Sequence, residues 1–193
     1  MKKLLFAAMA VFTFTAANAQ EREKGDIELA PHIGYSSYFL NGDNVNDFSS
    51  ISSINYGVNA DYFFNNRWSL RSGLLSQTMG AEDFSGELKL NYISIPVNAN
   101  WHFGSTRKWF LNFGASASFL TKAEFSGEDV KEDIESFQLG VSYGIGYKLE
   151  ITERFSILIE SQNLFGLSNV LKEGDLTWTN AGGSINIGGV IKL

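Results

Sequence analysis

Apolar and polar residues alternate with a period of two along almost the whole sequence. From Ile54 to Phe64, for example, the even positions are apolar, whereas Asn55, Asn59 and Asp61 lie between them. Successive side chains of a β-strand point to opposite faces of its sheet, so this is the period of a strand with one apolar and one polar face. Eight such segments predict an all-β protein without helices, and they begin at or near Ile27, Ile54, Trp68, Ile93, Trp109, Phe137, Phe155 and Ile185.

The first 19 residues have the pattern of a secretory signal peptide. Met1-Lys2-Lys3 is followed by an apolar run over residues 4–14, and Ala17-Asn18-Ala19 places small residues where signal peptidase cuts. We expect cleavage before Gln20, which divides the chain into a leader (1–19) and one barrel domain (20–193). An uncleaved anchor is the alternative, but the apolar run is shorter than the roughly 20 residues that a helix needs to span a bilayer.

Charge and cysteine content exclude several classes of function. The leader contains two lysines and no acid, so its removal changes the net charge from −6 to −8. An acidic chain without a basic stripe is a poor nucleic-acid binder. The absence of cysteine from the sequence excludes disulfides, thiolate nucleophiles and cysteine metal sites. The glycine pair Gly144 and Gly146 lies in a strand and precedes no helix, so it is no phosphate loop. We expect no nucleic-acid partner, cofactor or metal.

Two features favour a barrel that spans a membrane over a soluble calyx. The polar face consists mostly of Gly, Ser and Asn, which suits a narrow lumen, whereas a water-exposed face would carry many charges. Aromatic residues also collect where strands meet short turns, as in the interfacial girdles of outer-membrane barrels. We therefore predict an eight-stranded antiparallel up-and-down transmembrane β-barrel in the lipid of a bacterial outer membrane. Its aromatic girdle comprises Phe64, Trp68, Trp101, Phe103, Trp109, Tyr147 and Phe155.

Short and long connections alternate between the predicted strands. The short ones are residues 65–67, 104–108 and 150–154, and the long ones are 40–51, 79–87, 121–135 and 166–177. Outer-membrane barrels have short periplasmic turns and longer external loops, so both termini should be periplasmic. We interpret the acids of the long loops as solvated tips, with a cation-binding surface as the alternative. Against three lysines, these loops hold thirteen acids: Asp43, Asp47, Glu82, Asp83, Glu87, Glu124, Glu128, Asp129, Glu132, Asp133, Glu135, Glu173 and Asp175.

Both prolines fall inside predicted strands, where they cannot donate a ladder hydrogen bond. Because a closed barrel has no free edge, Pro31 and Pro96 should each mark a bulge or a strand end. Near Pro96 the apolar positions also change from even, at Leu90 and Tyr92, to odd, at Ile93. One extra residue near Tyr92 would produce that change.

The turn at Asn65-Asn66-Arg67 fixes the pairing of the strands on either side. A three-residue loop pairs Phe64 with Trp68, and asparagine tolerates the left-handed conformation that such loops need. Counting back along both strands places Asp61 opposite Arg71 on the polar face, close enough for an ion pair. A narrow interior crossed by such a network should not conduct ions steadily. Further candidates for this lumen network are Glu28, Glu160 and Gln162.

Several motifs carry a resemblance to a known family. Tyr92-Ile93-Ser94-Ile95-Pro96 is similar to a strand of the pattern tyrosine, aliphatic, any residue, aliphatic, proline. Asn112-Phe113-Gly114-Ala115, residues 140–147, and Gly166-Leu167-Ser168-Asn169 after Glu160 continue the likeness. On these motifs the chain resembles the porin family of outer-membrane β-barrel proteins, of PorT-like type, over nearly all of residues 20–193. The resemblance implies the barrel fold and the outer-membrane location, and it implies no defined ligand.

Three classes of function suit such a barrel. We favour a structural or interaction protein that presents acidic external loops from a plugged barrel, with a cell-surface or periplasmic protein partner left open. The second class is a small-solute porin, and the third is a lipid-modifying enzyme. The third needs a histidine beside a serine or carboxylate, and His32 has Ser36 on its own face and Glu28 four residues earlier. A lumen histidine satisfied by polar neighbours is the simpler interpretation, so we expect no catalytic residue.

Overall fold

The alternating segments form long strands in the computed structural model, which describes residues 22–45 and 47–193; the expected leader lies outside the described residues. A two-residue strand, β6 (Glu128–Asp129), and a 3₁₀ turn (Lys131–Asp133) also occur. The eight long strands are β1 (Ile27–Gly42), β2 (Ser49–Phe63), β3 (Trp68–Asp83), β4 (Gly86–Phe103), β5 (Trp109–Phe125), β7 (Phe137–Glu150), β8 (Phe155–Gly166) and β9 (Trp178–Lys192).

These strands close into one antiparallel barrel. Each long strand pairs with the next long strand along the chain, and β1 pairs with β9 to complete the ring. Strand β6 only extends the hairpin after β5, so β7 is the partner of β5 in the barrel wall. The predicted all-β, eight-stranded, up-and-down fold is therefore confirmed, with one 3₁₀ turn where the sequence predicted no helix. Within the described ranges, no helix is long and apolar enough to cross a bilayer.

The change of the apolar positions from even to odd near Tyr92 is not caused by an extra residue in β4. Strands β3 and β4, both fully described, keep a single register over their whole length, which excludes an extra residue in β4. The register shift falls instead in β5, where Leu120 pairs with Tyr92 and Lys122 pairs with Asn91, so that Thr121 is the extra residue. The expected bulge exists, but in the neighbouring strand.

The prediction that each proline marks a bulge or a strand end was wrong. The pairs of β1 with β9 keep the same register before and after Pro31. Pro96 pairs with Ser116 within an unshifted stretch of β4 and β5. Each strand of a closed barrel is held by two neighbours, so the remaining pairs fix its register even where proline removes one ladder hydrogen bond.

The connections predicted to be long are mostly shorter, because the strands extend into them. Strands β3 and β4 are joined by only Phe84 and Ser85, although residues 79–87 were predicted to form a long loop. After β5, Ser126 (φ 50°) and Gly127 (φ 94°) form a second two-residue turn, of type I′. Among the described connections, residues 167–177 are the longest between strands.

The turn after β2 has the predicted pairing but a different conformation. The backbone N–H of Phe64 donates to the carbonyl of Trp68 (2.9 Å), which confirms the three-residue loop. Positive φ values among the described non-glycine residues fall outside this turn, so the prediction of a left-handed asparagine was wrong. The Asn65 side chain stabilises the turn instead, because its Oδ1 accepts from the N–H groups of Arg67 (2.9 Å) and Trp68 (3.1 Å).

The barrel interior has two halves of opposite chemistry. The charged half, near the short turns, contains the buried side chains of Glu28, Asp61, Arg71, Lys148 and Glu160. The apolar half, near the long connections, is a core in which loop residues pack between the ends of the strands. It contains Tyr38, Leu40, Met79, Ala81, Leu88, Leu90, Tyr92, Leu120, Ala123, Ile134, Leu164 and Val170.

On β4, the outer surface changes from polar to apolar at the level where the interior changes from apolar to charged. On β4 the outward side chains are Glu87, Lys89 and Asn91 beside the apolar half, and they are apolar from Ile93 onwards beside the charged half. Even positions of β4 therefore point inward throughout, and the parity change at Tyr92 marks the boundary between the halves. On β4 the apolar outer wall therefore lies beside the charged half, and the exterior beside the apolar half is polar. On β1 and β8 the apolar wall extends further, since Phe39 and Phe165 are exposed beside the apolar half.

Candidate functional site

A buried network of ion pairs fills the charged half of the lumen. The pairing of β2 with β3 places Asp61 opposite Arg71. Arg71 donates two hydrogen bonds to this carboxylate, from Nε to Oδ1 (2.9 Å) and from Nη2 to Oδ2 (3.0 Å). Its Nη1 donates across the barrel to Glu160. Asn100 and Asn112 donate further bonds to Asp61 (3.1 Å) and Glu160 (3.0 Å), so both carboxylates have several donors.

Two further cations complete the network. Lys148 donates from Nζ to Glu28 and to Oδ2 of Asp61 (3.0 Å). Arg22, in the segment before β1, donates from Nε to Oε1 of Glu28 (2.6 Å) and from Nη1 to the carbonyl of Arg107 (3.3 Å). Three cations thus meet three carboxylates, and each of the six side chains is at most 2% exposed. The balance of charge compensates the cost of removing these groups from water.

Two buried phenylalanines pack against the cations of the network. The guanidinium carbon of Arg71 lies 4.6 Å from the ring centroid of Phe110, and Nζ of Lys148 lies 5.3 Å from it. Phe63 lies 5.2 Å from the guanidinium of Arg22 and 5.7 Å from Nζ of Lys148. These distances are in the cation–π range. The rings fill the space that the charged groups leave near the short turns.

The sequence identified four of the six charged residues of this network. Arg22 and Lys148 were missed. Lys148 could have been found, since it occupies a polar, inward position in the alternation of β7. Arg22 precedes the first strand, so no strand register places it in the lumen.

Gln162, the remaining lumen candidate, lies beside the network. It lines a small polar cavity of about 20 Å³ together with Arg71 and Glu160. A cavity of this size has room for a single water molecule. Gln162 is half-buried, so it borders the charged half without belonging to the ion pairs.

The predicted girdle residues lie on the outer surface at the short-turn end of the barrel. Phe64 packs against Tyr62 with their ring centroids 5.6 Å apart, and Phe155 pairs with Ile191. The other rings form a continuous series that crosses four neighbouring strands. The centroids are 4.9–6.4 Å apart along the series Trp68, Trp101, Phe103, Trp109 and Tyr147.

The serine and the carboxylate near His32 are bonded to other groups. The Oγ of Ser36 lies 3.0 Å from the Oγ of Ser53, and Glu28 belongs to the ion-pair network. The Nδ1 of His32 lies 3.1 Å from the carbonyl oxygen of Ala30. In residues 22–45 and 47–193, no group of three or more His, Asp or Glu side chains is placed to hold a metal ion.

The loop end of the barrel has a strong excess of acids. Lys89 and Lys122 form ion pairs of 2.7 Å with neighbouring glutamates of their own strands. Lys131 and Lys172 donate to backbone carbonyls. With these lysines engaged locally, the surface around the long connections is negatively charged.

A closed barrel of eight antiparallel strands, whose apolar outer wall surrounds a polar, charged part of the interior, is the architecture of a bacterial outer-membrane protein. The chain belongs to the outer membrane protein beta-barrel domain family, whose model matches residues 18–172. The outer-membrane location predicted from the sequence follows from this membership. The PorT-like subtype stays a prediction.

Solved outer-membrane barrels share the fold at low sequence identity. Neisserial surface protein A is 15% identical, with a TM-score of 0.57, and the match covers 86% of this chain and 97% of that one. OprG from Pseudomonas aeruginosa is 11% identical, with a TM-score of 0.57 and coverage of 91% and 99%. The N-terminal barrel domain of OprF from the same organism is 12% identical, with a TM-score of 0.54 and coverage of 89% and 100%. No curated protein matches the chain.

Proposed function

We propose that the protein is a structural or interaction barrel without enzymatic activity, whose plugged lumen carries no solute and whose acidic loops face outward. Both termini then lie in the periplasm. The observation that carries this proposal is the neutral network of six buried charges across the lumen.

The network makes a steady pore unfavourable. Opening a path through the charged half would separate Arg71 and Lys148 from their carboxylates, and each unpaired buried charge is costly. The other half of the lumen is filled by the apolar core, which offers no favourable path to an ion. A small-solute porin, the main alternative, requires an aqueous channel through both halves.

Conductance in planar bilayers tests the plug. We expect the purified protein to show no sustained channel under conditions in which a general porin, used as the positive control, conducts. The double variant Arg71→Ala/Lys148→Ala should show brief channel openings more often than the unmutated protein, because it lacks two of the three lumen cations. Stable, single-sized conductance steps from the unmutated protein would contradict the plugged barrel.

Cysteine labelling tests the orientation. The chain has no cysteine of its own, so single cysteines can be compared without background. On intact cells, a membrane-impermeant maleimide should label Glu128→Cys at the start of β6 and spare Ser105→Cys in a short turn. Both sites should react after the cells are lysed. Labelling of Ser105→Cys alone on intact cells would mean that the barrel has the opposite orientation.

The environment of His32 supports a non-enzymatic role, because the nearby serine and carboxylate bond to other groups. Mass spectrometry of lipid A from cells that express the parent or His32→Ala should give identical spectra. A modified lipid A species that depends on His32 would instead support the lipid-modifying enzyme.

Crosslinking on intact cells tests the interaction role. Loop-tagged protein should capture a partner that a variant with neutralised loop acids does not.

A further inference from the structure

A cavity opens within the apolar half, at the end of the barrel that carries the long connections. Its volume is about 330 Å³, roughly twice the ~150 Å³ of an engineered apolar cavity that binds benzene. Binding sites for small molecules begin at about this size and are mostly apolar with a few polar groups. Its apolar lining comes from strands and loops alike: Leu40, Phe48, Ala81, Leu88, Val130 and Trp178.

The cavity ends blindly inside the protein. Below it lie fully buried core side chains such as Met79 and Leu90, each 0% exposed. Beyond them the ion-pair network of the charged half crosses the lumen. A molecule that enters from the loop end therefore has no onward path through the barrel, so the geometry is that of a binding site.

One wall of the cavity is polar and reaches the surface. Asp83, Ser85 and Gly86 of the β3–β4 turn line it, and Ser85 is exposed. The Oδ1 of Asp83 accepts from the N–H and hydroxyl of Ser85 and from the N–H of Gly86. Its Oδ2 receives no bond from the described residues. The hydroxyl of Ser85 holds the pKa of Asp83 below its usual value, so this carboxylate is ionised at neutral pH.

We infer that this cavity binds a small apolar molecule that bears an amine. The apolar body lies between Leu40, Leu88 and Trp178, and the ammonium group bonds to the free oxygen of Asp83. The excess of acids on the surrounding loops attracts a cation and repels an anion. The inference deepens the proposed interaction role by naming a ligand class for the loop end.

Three probes of matched shape test the inference with the full-length barrel in nanodiscs of zwitterionic lipid. They are 1-naphthylmethylamine, the neutral 1-naphthalenemethanol and the anionic 1-naphthoate. Equilibrium dialysis, corrected with empty nanodiscs, should show saturable binding in the order amine, alcohol, acid. Because purified protein is used, the result does not depend on which way the loops face in the cell. Saturable binding of all three with equal affinity, or of none, would overturn the inference.

Matched variants locate the site. Ala81→Phe and Val130→Trp fill the cavity from a strand and from a loop respectively, and each should abolish saturable binding. Ala115→Phe adds the same ring to the outward face of β5 and should bind like the parent. Asp83→Asn keeps an oxygen for the turn but removes the charge, so it should weaken amine binding about fivefold and leave the alcohol unchanged. Unaltered binding by a folded cavity-filling variant, or by Asp83→Asn, would place the site elsewhere.

Discussion

The charged half and the apolar half of the lumen are built from the same strands, yet they place opposite residues inside. On β4, the inward side chains are Leu88 and Leu90 in the apolar half and Asn98 and Asn100 in the charged half. The difference lies outside the barrel. Where lipid surrounds the wall, apolar side chains face outward; where water surrounds it, they must turn inward to be buried.

This comparison shows that the two halves are stabilised in different ways. The charged half depends on completed hydrogen bonds and ion pairs, so the loss of one partner leaves another group buried and unpaired. The apolar half depends on packing, so the loss of a side chain leaves a cavity whose cost varies with how well neighbours collapse. Substitutions in each half should therefore be rescued by different second changes.

Arg71→Ala should have the largest effect. It leaves the carboxylates of Asp61 and Glu160 with too few cations, and breaking a buried pair from one side costs about 3–5 kcal/mol of unfolding free energy. Urea unfolding in lipid vesicles, followed by the different gel mobility of unboiled and boiled samples, measures the loss. The double variant Arg71→Met/Glu160→Gln keeps the remaining four charges balanced and should recover much of it. A single variant as stable as the parent would mean that the network contributes little.

Leu90→Ala should have the next largest effect. Leu90 is fully buried in the apolar half, and truncation of a core leucine costs about 2–5 kcal/mol. The same urea titration measures it. The change Glu160→Gln should not rescue this variant, whereas Leu90→Met, which conserves volume, should lose less than about 1.5 kcal/mol. If Leu90→Ala were harmless, the loop end would be loosely packed rather than a core.

Trp101→Leu should have a moderate effect. Its ring lies between those of Trp68 and Phe103, at 6.2 Å and 5.2 Å, and such aromatic pairs contribute about 0.5–1.5 kcal/mol beyond burial. If the ring series lies at the membrane interface, lipids brominated near the headgroup should quench the fluorescence of Trp68, Trp101 and Trp109 more than lipids brominated at the chain ends. Stronger quenching from the bilayer centre would place these rings away from the interface.

Lys89→Ala should have the smallest effect. Lys89 pairs with Glu87 at 2.7 Å, but both side chains are more than a third exposed, and exposed ion pairs contribute about 0.2–1 kcal/mol. Comparison with Arg71→Ala under the same titration gives the contrast between an ion pair in water and one in the lumen. The Lys89→Ala loss should shrink further in high salt, while the Arg71→Ala loss should not. A similar salt response for both would mean that water reaches the lumen network.

The alternation of residues determined the fold class, the number of strands and the face of each strand. These features depend on a local period of two, which a sequence displays directly. The length of one turn also determined that Asp61 faces Arg71, because antiparallel register follows from counting across a hairpin. The apolar positions change from even to odd near Tyr92, and two causes can produce this change. One is an extra residue in the strand, and the other is an interior that changes from apolar to polar. The pattern could not separate these two causes, so the bulge was predicted in the wrong strand.

Only the closed barrel decided which residues meet across the lumen and how the loop end is filled. Lys148 and Glu28 are 120 residues apart in the chain, and Arg71 and Glu160 are 89 apart. No local period relates such residues, because they come together only when β1 pairs with β9 and the ring is complete. The same holds for the apolar cavity, whose walls come from five strands and three connections. The sequence therefore sets which side chains point inward, and the closure of the barrel sets which of them touch.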